Sequence, residues 1–135
     1  MSPIDNCKEI PVRGIHDIRG NIGFCESMND IPFQIKRIYF LNKIPKDGVR
    51  GSHAHKKLEQ FFIMLNGSCN LHLKDGSIEK NYFLEDSSKG VYIPSMIWRE
   101  LNSFSEDAVC LVLASDLYYK DDYIRSYENF LNLIK

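Results

Sequence analysis

The sequence predicts an all-β sandwich or barrel that carries one helix at its C-terminal end. Three observations carry that expectation. From Ile31 onward the chain is a succession of short β-type runs, "IPFQIKRIYFL", "EQFFIML", "SCNLHL", "SIEKNYFL", "GVYIP" and "AVCLVLAS", each bounded by turn-forming residues. Asn66-Gly67 and Asp75-Gly76 supply the positive backbone dihedrals that tight turns need, so two hairpins are expected. The tail "DDYIRSYENFLNLIK" changes period: Ile124, Tyr127, Leu131 and Ile134 fall near one helical face, with Asp121 or Asp122 placed to cap its start. Alternation is clearest in "NLHLKDG", where Leu71 and Leu73 share one face and Asn70, His72 and Lys74 the other, so His72 is expected to face solvent.

The chain has 135 residues, the size of one domain spanning residues 1–135, and no repeat, linker or low-complexity stretch divides it. Nothing approaches the roughly 18 consecutive apolar residues of a membrane span, so no bilayer is implied. The opening "MSPIDNCKEIPVRG" lacks the basic start and apolar core of a signal peptide, which makes the cytosol the expected location. Cys7, Cys25, Cys69 and Cys110 form no CxxC pair, and in that compartment they are expected as reduced thiols. A net charge of -1 argues against a general affinity for nucleic acid, which needs a basic face, so any anionic ligand must be met by local cations.

The chemistry concentrates in "RGSHAHKKLEQ", Arg50 to Gln60. His53 and His55 are two apart, so on an extended strand both imidazoles point to one face, and Gly51 before them lets the backbone turn or a ligand approach. In many small β-barrels a His-x-His followed by a Glu, here Glu59, holds a metal that a histidine from a second motif completes. The second motif is visible in "GVYIPSMIWRE", which resembles the second motif of the cupins, yet the position of its histidine is held by Arg99. A guanidinium has no lone pair to give and repels a cation, so a metal is not expected. The histidines read better as acid–base groups, because an imidazole titrates near neutrality and exchanges protons at a reacting carbon. Arg99 then stabilises the negative charge that develops on oxygen when a carbonyl compound loses an α-proton, which points to isomerisation or epimerisation through an enediolate.

Each of these groups also has a plainer reading. The histidines fit as hydrogen-bonded barrel residues, Glu59 as a group that merely orients one of them, Arg50, Lys56 and Lys57 as solvated charge, and Trp98 as core packing as readily as a stacking surface. His16 lies in an uninformative stretch, although Asp17, Arg19 and Gly20 after it suggest a turn bearing functional charge.

Taken together, "RGSHAHKKLEQ", "NGSC", "GVYIPSMIWRE", "LVLASD", "DYIRSYENF" and the upstream "IPFQIKRIYF" closely resemble the dTDP-4-keto-6-deoxyglucose 3,4-ketoisomerases of bacterial sugar-nucleotide pathways, from about Asp17 to Phe130. The resemblance implies a cupin-like jelly-roll barrel with a short C-terminal helix. It implies a homodimer that exchanges strands and acts without cofactor or metal on a dTDP-linked 4-keto sugar. A base at His55 or His53 would remove the C3 proton, and the 3,4-enediolate would be reprotonated at C4 to leave a 3-keto sugar. Arg19, Arg37, Arg50 and Lys57 are candidates to meet the diphosphate, since guanidinium groups suit phosphate oxygens. Arg37 shares a strand face with Ile35 and Tyr39, and Glu59 and Trp98 complete the expected substrate contacts. Some members of the family carry histidine where this chain has Arg99, and members differ in product configuration at C4. The expectation here is the gluco product, precursor of a 3-amino-3,6-dideoxyglucose for a surface polysaccharide such as lipopolysaccharide or an S-layer glycan. A dTDP-sugar 3,5-epimerase, a metal-dependent oxygenase and a non-catalytic sugar-nucleotide-binding barrel are the alternatives.

Overall fold

The structure is a computed structural model and describes residues 2–135. After a short 3-10 turn, Pro3–Asn6, the chain runs through β1 (Lys8–Pro11), β2 (Arg13–Asp17), β3 (Gly20–Phe24), β4 (Arg37–Asn42), β5 (Arg50–His55) and β6 (Gln60–Asn66). It continues as β7 (Cys69–Lys74), β8 (Glu79–Leu84), β9 (Lys89–Ile93), β10 (Trp98–Asn102), β11 (Val109–Ala114), β12 (Tyr123–Ile124) and α1 (Tyr127–Leu133). Two five-stranded sheets face each other, in the orders β1-β9-β6-β11-β4 and β12-β5-β10-β7-β8, while β2 and β3 form a separate two-stranded ribbon. No helix among the described residues is long and apolar enough to cross a membrane.

Between the sheets lies a core of Phe62, Met64, Leu71, Leu73, Val91, Ile93, Ile97 and Val112, sealed at one end by Ile4 and Cys7. A second cluster covers the outer face of the first sheet, where Phe61, Ile63, Tyr92 and Leu113 pack under Ile31 and Phe33. Strand β6 is therefore buried on both faces, which is why "EQFFIML" reads as an unbroken apolar run rather than an alternation. The third cluster, Ala54, Trp98, Ile124 and Phe130, fastens α1 to the outside of the second sheet.

Three sequence expectations meet a different outcome. Asp75-Gly76 does turn the β7–β8 hairpin, with Gly76 at φ +97, but Asn66-Gly67 does not make a hairpin. Gly67 has the positive φ of 70, yet β6 and β7 belong to different sheets, and the turn is tied instead to the 103–108 loop by Asn66 and Ser68. A positive φ permits a sharp reversal and says nothing about whether the flanking strands pair. The helix starts later than the tail suggests: Ser126 caps it, accepting from Asn129 N–H at 3.3 Å, because residues 123–124 pair with Ala54 and His55 as a strand. Asp122 is thereby released from capping. His72 is half-buried and bonded to Glu79 at 2.7 Å across the β7–β8 pair rather than free in solvent. The N-terminal stretch, uninformative as sequence, supplies an edge strand beside β9 and the ribbon, whose every strand residue is exposed.

Phe130, fully buried against Trp98 and Tyr127, is the main anchor of the helix. Replacing it with alanine is expected to cost about 3–5 kcal/mol in guanidinium unfolding. The emission of Trp98, the one tryptophan of the chain, should shift to the red with it. A loss under about 1 kcal/mol would show that the helix adds little to the fold.

Candidate active site

Strand alternation decides which side chains enter the space between the sheets. On β4 the inward set is Arg37, Tyr39 and Leu41, and on β6 it includes Gln60 and Phe62. Opposite them stand Arg50, Gly51 and His53 from β5 and Arg99 and Leu101 from β10, with Tyr123 and Arg125 at the rim. They enclose a cavity of about 380 Å³. A bulge sets the register: the β5–β10 ladder pairs Arg99 with His53 and then Glu100 with Gly51, leaving Ser52 extra. Gly51, at φ +90, turns with a backbone that an L side chain adopts only under strain, its missing Cβ 3.2 Å from the Arg99 carbonyl oxygen.

His53 and His55 share a face as the spacing predicts, their Nε2 atoms 3.1 Å apart and their rings nearly perpendicular at 89°. His53 reaches the cavity, whereas His55 is fully buried behind it. The Nδ1–H of His53 donates to the Gly51 carbonyl at 3.0 Å, and that of His55 to Asp122 Oδ2 at 3.0 Å. With both Nδ1 atoms protonated, the Nε2–Nε2 contact needs a third proton. A neutral pair has only two, so one of the three contacts stays unsatisfied until a proton arrives. Asp122 is held by the backbone N–H groups of Lys57 at 2.8 Å and Leu58 at 3.3 Å, which fixes its carboxylate behind His55.

Arg99 faces the pair and is 1% exposed. Its Nε and Nη2 donate to the Ile97 carbonyl and its Nη1 to Gln60 Oε1, so no carboxylate bonds it. Burial lowers its pKa to about 10, which still leaves it charged at neutral pH. The amide of Gln60 continues the chain, donating from Nε2 to the Tyr39 hydroxyl at 2.7 Å. Burial, with the Arg99 charge second, pushes His53 down to about 4 and His55 to about 2, so both are driven toward the neutral, proton-accepting form.

The structure thus brings together five of the residues singled out in the sequence, Arg37, Tyr39, Arg50, His53 and Arg99, with His55 directly behind. Lys57 and Glu59 face a different and larger groove of about 740 Å³. Glu59 precedes the inward Gln60, so alternation turns it away, and it accepts from the Tyr92 hydroxyl instead of orienting a histidine. That orienting part belongs to Asp122. Trp98, one residue before the inward Arg99, packs on the outside against Tyr127 and Phe130. Arg19 sits at the tip of the ribbon, paired with Asp17 at 2.8 Å and outside the cavity of its own chain. Gln60 and Asp122 were missed. The only signal for Gln60 is a polar residue at the head of an apolar run, and Asp122 is 67 positions from the histidine it holds. Among the described residues no three His, Cys, Asp or Glu side chains converge as a metal site.

A family model described as FdtA, WxcM-like, C-terminal, matches residues 5–135. The chain belongs to that family. It is 44% identical over 127 residues to the TDP-4-oxo-6-deoxy-alpha-D-glucose-3,4-oxoisomerase of Aneurinibacillus thermoaerophilus, covering 94% of this chain and 91% of the relative. Among solved structures it is similar to QdtA, a sugar 3,4-ketoisomerase from Thermoanaerobacterium thermosaccharolyticum crystallised with TDP, with a TM-score of 0.93, 44% identity and coverage of 96% and 94%. The WlaRB TDP-quinovose 3,4-ketoisomerase of Campylobacter jejuni superposes with a TM-score of 0.91, 43% identity and coverage of 96% and 99%. The cupin-like barrel and the membership among sugar 3,4-ketoisomerases read from the motifs both hold.

The depressed histidines make stability depend on pH. In the unfolded chain an imidazole takes a proton near pH 6.5. In the fold it does so only near 4 or below, so in the window between them unfolding takes up protons. Stability is full above about pH 6.5 and declines as the pH falls toward 4. The urea midpoint should therefore drop between pH 7 and pH 5, and by less in a His53→Asn variant. An identical drop in both proteins would assign the dependence to other groups.

Proposed function

We propose that the protein converts dTDP-4-keto-6-deoxyglucose into its 3-keto isomer through a 3,4-enediolate. The observation that carries this reading is the pairing of a proton carrier, His53, with a buried cation, Arg99, side by side on one wall of the cavity. His53, the imidazole that lines the cavity, takes the C3 proton. That proton is the third one the His53–His55 pair lacks, so the contact unsatisfied in the neutral pair is completed as the enediolate forms. Charge developing on the sugar oxygens is met by Arg99, in a site whose low dielectric strengthens the attraction. Delivery to C4 of a proton that has exchanged with solvent, with the hydroxyl hydrogen passing from O3 to O4, leaves the 3-keto sugar with atoms and electrons balanced. The half-buried Arg37 and the exposed Arg50, both on the cavity lining, suit the diphosphate.

The relatives described above are all named for 3,4-isomerisation, which favours this reading over 3,5-epimerisation. A gluco-configured product is supported by the likeness to an enzyme named for TDP-quinovose, a 6-deoxyglucose. The working unit is a homodimer that exchanges the β2–β3 ribbon. A two-stranded ribbon has little stability alone, and this one leaves Ile15, Ile22 and Phe24 exposed. The open edge strand β4 likewise turns Ile38 and Phe40 outward, at 61% and 62% exposure. Exchange is also the arrangement under which Arg19 reaches a substrate site, that of the other subunit.

In D₂O, deuterium should enter at C4 as the 3-keto product appears in proton NMR, and the same run in H₂O should show the large H4–H5 coupling of a gluco product. Exchange at C5 would instead indicate epimerisation. A His53→Asn variant should lose about 10²-fold or more in kcat while binding dTDP within about threefold of the parent. Equal losses in both would make His53 a binding residue. For the dimer, Ile15→Asp with Ile22→Asp should give a monomer by light scattering; a dimer that survives both charges would place the interface elsewhere.

A further inference from the structure

Gln60 is 1% exposed and stands at the head of β6, reaching Arg99 on one side and Tyr39 on the other. A primary amide has one acceptor and two donors, and a guanidinium has donors only. Whichever way the amide is turned, only its oxygen can meet Arg99. The nitrogen then faces Tyr39, and its hydrogen goes to the phenol oxygen at 2.7 Å. The direction of donation, from Arg99 through Gln60 to Tyr39, follows from the charge that Arg99 keeps at neutral pH.

This has a consequence for the phenol. Its oxygen already accepts from Gln60, so its own hydrogen cannot return along that bond, and among the described residues it donates to no protein acceptor. Tyr39 lines the cavity, and burial raises its pKa above the ordinary value, so the hydroxyl keeps its proton at neutral pH. The hydrogen is left pointing to whatever the cavity holds.

We propose that Gln60 is a positioning residue for the reaction: by accepting from Arg99 and donating to Tyr39, it makes the phenol an obligate hydrogen-bond donor to an oxygen of the bound sugar. The inference rests on the ketoisomerase reading and deepens it. Charge rises on that oxygen as C3 loses its proton, so a donor aimed there in advance is stronger in the transition state than in the ground state. Removing one such donor typically costs about 10²–10³ in kcat.

Gln60→Glu tests this with little change in shape. A carboxylate keeps the partner of Arg99 but has no hydrogen to give, so the phenol turns back to donate to it and is lost to the sugar. Expected are a kcat about 10²-fold lower, dTDP affinity within about threefold, and a double variant Gln60→Glu/Tyr39→Phe no slower than Gln60→Glu alone. Losses that multiply, or a Gln60→Glu kcat within threefold of the parent, overturn the proposal. If the glutamate variant does not fold, Gln60→Asn, one methylene too short to span the two partners, should show the same loss and the same non-additivity. An independent measurement is the titration of Tyr39 followed by ¹³Cζ-tyrosine NMR. The new carboxylate should raise its midpoint by about one pH unit or more. An unmoved midpoint overturns the proposal. Should the parent protein show no turnover of dTDP-4-keto-6-deoxyglucose at all, the ketoisomerase reading fails by itself, and the tyrosine titration alone decides whether Gln60 sets the direction of the phenol.

Discussion

The interaction on which the site depends is the burial of one guanidinium without a carboxylate. Taking an ion out of water costs several kcal/mol even after the protein relaxes, and an acidic partner usually offsets it. Arg99 has only neutral oxygens, the Ile97 carbonyl and the Gln60 amide, in its place. Its positive field is therefore left uncancelled inside the barrel, where it is available to a ligand's negative charge. The surrounding fold is arranged to keep it so: the ladder bulge at Ser52 sets Arg99 opposite His53, and both sheets exclude water from its sides.

That field acts on the histidines against a second one. Burial and, second, Arg99 strip protons from His53 and His55, while the Asp122 carboxylate, behind His55, accepts from its Nδ1–H. In the resting state the first influence prevails. A proton delivered by a substrate meets a hydrogen-bond chain already laid out for it, running from the Gly51 carbonyl through both rings to the Asp122 carboxylate. In the proposed mechanism the pair is thus a better base than its depressed affinity for solvent protons suggests, because its gain is realised at the moment the enediolate, a counter-charge, forms beside it.

Local patterns were legible in the sequence and long-range ones were not. The shared face of His53 and His55, the inward row of Arg37 and Tyr39 and the presence of a helix follow from periods of two or 3.6, which are properties of a single strand or helix, and the hairpin at Asp75-Gly76 from the dihedrals of two adjacent residues. The Arg99 substitution was readable because it stands in a motif. Asp122 and Gln60 were invisible because their meaning lies in partners brought close only by strand order. Glu59 was read as a substrate contact or as a group orienting a histidine, since nearness in sequence stood in for nearness in space. The alternation that makes Gln60 point inward is what turns Glu59 outward. The same rule separates Arg99 from Trp98. The turn at Asn66-Gly67 failed differently: its glycine does take a positive φ, but the competing pairing of β6 with β9 and β11 decided where the next strand went.

Strand β6 is covered on both sides, and the two sides do different things. Its odd residues, Phe61 and Ile63, bind the outer layer of Ile31 and Phe33, and its even residues, Gln60 and Phe62, look into the cavity. One short segment therefore carries two interleaved messages, one addressed to the architecture and one to the ligand. Because they alternate, the second can be rewritten without erasing the first, so this barrel has room to acquire a new product or a new sugar while the wall that bears the change stays upright.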